Sequence, residues 1–197
     1  MVMDNILPDD VRKERAKELL GKRRLEDACA LLSELCRDDQ RDVEIWLMYS
    51  VANAHLGRFE EVIAACRKAL EIVPDYLPAL NSLASALAAL GRHEEAAVEF
   101  ATVLRLAPDN PAVLNNYGHA LALMGRAEDA RRALENAVRI QPFYAEAHYN
   151  LATLLDQIGL PAEALSEFEQ AIALKPGLAN LLGERLSQLR TAVRGKP

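Results

Sequence analysis

Residues that usually carry chemistry are scarce in this chain. Only three of its 197 residues are cysteine and four are histidine. No Cys-x-x-Cys pair occurs, and no histidine stands at ligand spacing from another candidate. His55 and His119 have no cysteine or serine that stands out as a nucleophilic partner. The sequence therefore predicts no metal, no cofactor and no enzyme active site. Cys36 and Cys66, with Cys29 nearby, read as buried thiols. No apolar run approaches the ~20 residues that cross a membrane. Met1 to Asp10 carries acids and Pro8 in place of the apolar core of a signal peptide. A cytoplasmic location and no membrane partner are expected. Basic excess is missing too. Lys and Arg number 23 against 29 Asp and Glu, a net charge of −6, which argues against nucleic acid as a partner. There is no strand-rich block, long linker or low-complexity tract.

What the chain does have is a period. Pro74, Pro108, Pro142 and Pro176 lie 34 residues apart, and Gly57, Gly91, Gly125 and Gly159 keep the same interval 17 residues earlier. Two markers in one register predict stacked supersecondary units. Written to end two residues past each proline, the units are 43–76, 77–110, 111–144 and 145–178. Each reads as two helices. Leu80, Leu83, Ala84, Leu87 and Leu90 form one amphipathic stripe, and Ala96, Ala97, Phe100, Val103 and Leu104 form the next. Gly91 between them suits the left-handed end of a helix. Pro108 stops the second helix, Asp109 or Asn110 can cap the following one, and Pro111 suits its first position. Small residues, Ser50, Ala84, Gly118 and Ala152, recur where the helices cross.

These residues resemble the tetratricopeptide repeat, a 34-residue helix–turn–helix unit. Trp46 occupies the family's aromatic position, which Leu80, Leu114 and His148 fill in later units. The fold expected is an all-α, right-handed solenoid of antiparallel helix pairs over 9–178. A degenerate first unit spans 9–42, with Gln40 in place of the proline and Gly21 two residues early. A polar, irregular unit of this kind suits a solenoid end. Leu178, Leu182, Leu186, Leu189 and Val193 mark a capping helix over 178–193.

The resemblance implies a non-catalytic protein-interaction scaffold, binding an extended peptide or partner helix in a concave groove lined by the first helix of each unit. The groove positions hold Lys13, Lys17, Leu47, Val51, Ala54, His55, Ser85, Glu146 and Asp156. The candidate peptide-binding residues are Asn81, Asn115, Asn116, His119, Tyr149 and Asn150. An Asn side chain both donates and accepts, so it can hold a peptide main chain without reading its side chains. Asn116 and Asn150 match the asparagine ladder of the O-GlcNAc transferase repeats, to which the groove is partly similar; Met48 and Ser82 do not. Asn116 and Asn150 are expected to point to solvent. A carboxylate clamp for an acidic chain terminus is not expected, because the required Lys and Arg positions hold residues such as Leu47, Ala112 and Glu146. Self-association is left open. The alternative is a recruitment module of a larger enzyme such as a glycosyltransferase, sulfotransferase or methyltransferase.

Overall fold

The computed structural model describes residues 7–195. The expectation about a signal peptide rests mostly on residues 1–6, which lie outside them. The described residues form helices and turns with no strand. In chain order the helices are α1 (Asp9–Gly21), α2 (Leu25–Asp38), α3 (Val43–His55), α4 (Phe59–Ile72), α5 (Leu77–Ala89), α6 (His93–Leu106), α7 (Pro111–Leu123), α8 (Ala127–Ile140), α9 (Ala145–Gln157), α10 (Pro161–Leu174) and α11 (Leu178–Arg194). His93 opens α6. Two compact units divide at Thr102 and Val103, within α6. Within each unit, consecutive helices pack in pairs, as in α3 with α4 and α9 with α10. This is an all-α solenoid of antiparallel helix pairs.

The glycine period sets the turn inside each pair. Gly57, Gly91, Gly125 and Gly159 have φ between +73° and +79°, a region that costs an ordinary residue ~1–2 kcal/mol. At the first of them, Gly57 N–H donates to the Ala54 carbonyl at 3.1 Å and Arg58 N–H to the Asn53 carbonyl at 2.9 Å. These two bonds satisfy carbonyls that the helix end leaves open. The degenerate unit makes the same pair of bonds, from Arg23 to Leu20 and from Arg24 to Leu19. Its left-handed residue is Arg23, φ 57°, and not Gly21. Arg23 lies 34 residues before Gly57, so the turn kept its register while the glycine did not.

Caps and proline define the starts. Asp42 accepts from the Glu44 and Ile45 amides at the head of α3, and Asn110 accepts from Val113 N–H ahead of Pro111 at the head of α7. The close crossings use small residues as expected. A Cβ on Gly118 would stand 2.7 Å from Leu134 Cγ, so α7 and α8 can approach only because nothing is there.

In the first unit, Leu32, Leu35, Ile45 and Ala52 are buried in one cluster, with Trp46 half-buried against it. Cys29, Cys36 and Cys66 are buried and free. Phe100 is fully enclosed. Arg12, at 4% exposure, pairs with Asp38 at 2.7 Å and with Asp9 at 3.1 Å, bracing α1 against the end of α2. Its hydrogen bond to Asp38 holds its pKa above the ordinary arginine value, against the opposing pull of burial. In the second unit, Leu121, Leu134, Leu155 and Phe168 form the core, and α11 closes it with Leu182, Leu186 and Leu189. His148, in the aromatic position, is buried and polar. Its Nδ1 lies 2.6 Å from Glu167 Oε2, and its Nε2 donates to the Pro142 carbonyl at 3.0 Å.

Candidate functional site

Two first helices, α7 and α9, run side by side in the second unit. Between them lies a cavity of about 260 Å³. Asn115 forms its floor, at 4% exposure, with half-buried Asn116 and Asn150 beside it. Tyr144, from the turn before α9, and Tyr149 line the sides, and Leu178, the first residue of α11, completes them. Exposed Glu146 and Lys175 stand at the rim.

The three amides are chained. Asn150 Nδ2 donates to Asn115 Oδ1 at 2.8 Å, and Asn115 Nδ2 donates to Asn116 Oδ1 at 3.2 Å. A carboxamide offers two N–H donors and a two-lone-pair carbonyl. Asn115 therefore spends its carbonyl on Asn150 and one N–H on Asn116. Asn116 keeps its NH₂ group, and Asn150 keeps its carbonyl and one N–H. Burial raises the Tyr144 pKa, the Glu146 charge adds to this, and the nearby Asn115 amide opposes both. Tyr149 is held from behind by an edge contact with Phe168, ring centroids 5.8 Å apart and planes at 67°.

Charged groove residues are paired off. Lys175 lies 3.0 Å from Glu146, and this hydrogen bond holds the Glu146 carboxyl below its usual range. Asp156 is engaged by Arg185. In the first unit, Lys13 meets Asp42 at 2.7 Å and Glu44 at 2.5 Å, and Lys17 meets Glu44 at 3.2 Å. Burial pulls the Lys13 pKa down, but its bonds to Asp42 and Glu44 outweigh this and raise it. Both lysines, counted among the groove positions, are thus neutralised by carboxylates.

Four candidate residues therefore share one cavity: Asn115, Asn116, Tyr149 and Asn150. His119 is exposed on α7 and lines no part of it. Asn81 belongs to the first unit, where it lines a separate cavity of about 200 Å³ with Val51, Ala54, His55 and Ser85. The expectation that Asn116 and Asn150 point freely to solvent is corrected. Both are half-buried, and the chain of amides ties them to Asn115. Tyr144, Lys175 and Leu178 were not among the candidates. Tyr144 is the last residue of its repeat, two places before Glu146, the first position counted as groove in the next, and Tyr76 shares its register. Among the described residues no group of three His, Cys, Asp or Glu could hold a metal ion, and no helix is long and apolar enough to cross a membrane.

Three family models, each of a tetratricopeptide repeat, match residues 13–76, 54–115 and 109–176. No curated protein matches the chain. Solved structures do. MamA from Desulfovibrio magneticus RS-1 aligns with a TM-score of 0.81 at 20% identity, over 86% of this chain and 96% of that one. Another MamA structure gives 0.78 at 18%, over 87% and 94%. The thermophilic TPR protein TTC0263 of Thermus thermophilus gives 0.67 at 20%, over 92% and 98%. At these identities the likeness is one of fold.

Proposed function

We propose a function from a fixed premise: the chain belongs to the tetratricopeptide repeat family. Proteins of this family are generally non-catalytic interaction scaffolds, and this chain is read as one. Its ligand is a partner protein's extended segment, held at the cavity between α7 and α9. The observation that carries this reading is the chain Asn150–Asn115–Asn116. It leaves donor and acceptor groups unspent in a recess whose rim charges, Glu146 and Lys175, already pair with each other. Such a surface suits a neutral polar ligand, and a peptide supplies an N–H and a C=O at every residue.

The test is a peptide-library screen on the full chain, followed by titration of the selected peptide against wild type and the double variant Asn116→Ala, Asn150→Ala. Two lost hydrogen bonds should weaken binding about five- to a hundredfold. Raising the salt should change little, because the contact is dipolar. Equal affinities for the two proteins would move the binding site away from this cavity.

A further inference from the structure

The cavity is more selective than a main-chain clamp needs to be. We infer that it takes a side-chain carboxamide, the end of a glutamine or asparagine of the bound segment. The inference rests on the peptide-binding reading above and adds the class of residue that is anchored. The argument starts from what the floor leaves unspent. Asn116 retains its NH₂ donors and Asn150 its carbonyl acceptor. Turning all three amides over would exchange the two ends, yet still leave an NH₂ at one and a carbonyl at the other. A carboxamide answers both at once, accepting from the first and donating to the second. A carboxylate would match the donor but face the carbonyl with a second acceptor. An ammonium group would match only the carbonyl. An aliphatic tip would bury both polar groups without partners, which is the costlier error. No charge is left over to reward an ion, since Glu146 and Lys175 lie 3.0 Å apart and satisfy each other.

Shape points the same way. Asn115 at the floor is 4% exposed, and the two tyrosines line the same recess. A main-chain peptide unit is flanked by Cα atoms on both sides and lies along a surface. A side-chain carboxamide ends its chain and can be lowered into a recess. Its methylenes then rest against Tyr144, Tyr149 and Leu178, which line the space. The volume of about 260 Å³ admits a single side chain of this kind.

The experiment uses ten-residue peptides of one Ala/Ser sequence that differ only at a central residue: Gln, Asn, Glu, Lys or Leu. Each is titrated into the full-length ¹⁵N-labelled protein, with the side-chain amide signals of Asn116 and Asn150 as reporters. The Gln or Asn peptide should bind about ten- to a hundredfold more tightly than the Glu, Lys and Leu peptides, and should shift both signals. Asn116→Asp keeps the acceptor for Asn115 and replaces the outward donor with a carboxylate, so it should reverse the order and place Lys above Gln. Because Gln and Glu peptides share one main chain, equal affinities would overturn the inference. If the Asn116→Ala, Asn150→Ala variant then weakened both alike, main-chain binding would stand without it. Affinities indifferent to that variant, or no binding by any peptide up to millimolar concentration, would overturn the inference and the reading beneath it. The Gln-to-Glu comparison is made on the wild type, so the result does not depend on any variant folding.

Discussion

Asn115 is the residue whose removal tells most. It is almost fully buried, and it accepts from Asn150 and donates to Asn116. Each neutral hydrogen bond contributes ~0.5–1.5 kcal/mol net, so two give about 1–3 kcal/mol at most. Both partners are half-buried and can turn toward water once released. Asn115→Ala should therefore cost about 1–2 kcal/mol, the lower part of that range. Asn150→Ala should cost less, since it removes one bond from a half-exposed group. The two losses should not add. Once Asn115 is gone, Asn150 has no bond left to lose, and a double-mutant cycle should return a coupling of about 0.5–1.5 kcal/mol. The assay is urea unfolding of wild type, both single variants and the double variant, followed by circular dichroism. Because the chain has two compact units, the transition is read together with the fluorescence of Trp46, which reports on the first unit alone. A coupling near zero would mean that the amide chain contributes nothing in solution, and the binding argument built on it would fail as well.

Gly118→Ala should destabilise by ~1–3 kcal/mol, because the added methyl would meet Leu134 Cγ and the Ala130 carbonyl at 2.7 and 3.2 Å. If stability instead rose by the ~1 kcal/mol that helix propensity alone favours, the close-packing argument would be wrong. The three thiols should resist a thiol reagent at pH 8 while the protein is folded. Burial pushes Cys36 up to about 12 and Cys66 up to about 11, and it raises Cys29 as well; immediate reaction of all three would contradict the buried core. Acid should loosen the first unit. Burial pushes the Asp42 carboxyl up, but Lys13 and two backbone amides outweigh it, so its folded pKa lies below the ordinary value. Glu44 is lowered by Lys13 and Lys17. Their stabilisation is complete above the unfolded pKa values, roughly 3.9 and 4.3, and disappears as pH falls through the lower folded values. Thermal melts between pH 7 and 2.5 should show Lys13→Met narrowing the loss below about pH 4; an unchanged acid slope would refute the pairing.

The helices were legible because their signals are local. A glycine in a left-handed position, a proline after a helix and an apolar stripe each act through the neighbouring residues, and the 34-residue repetition multiplied them. Gly57 and Asn110 do in the structure what their residue types suggest. The site was legible only as a face. Register places Asn115 and Asn116 on adjacent positions, but it does not say that Asn115 turns inward while Asn116 stays at the edge. The partner of Asn115 there is Asn150, which comes from the next repeat. Arg23 hid for the opposite reason: its backbone geometry is imposed by the helix pair around it, against its own preference. The partners of Arg12 and Lys13, Asp38 and Asp42, lie 26 and 29 residues away, beyond the reach of any local pattern.

Those long separations explain why a chain of net charge −6 presents a groove without a usable charge. Lys13 to Asp42, Glu146 to Lys175 and Asp156 to Arg185 are all 29 residues apart. The first two link a first helix to the turn before the next one, and the third links α9 to the middle of α11. A ligand carboxylate that sought Lys175 would have to displace Glu146, exchanging one ion pair for another and leaving Glu146 unsatisfied. An exposed pair of this kind contributes at most ~1 kcal/mol, so the exchange yields almost nothing. Charged partners therefore gain no advantage at these positions, and salt has little to screen. The unspent groups are the dipolar ones, Asn116 and Asn150, and under the proposed function it is their directions that a bound segment would match.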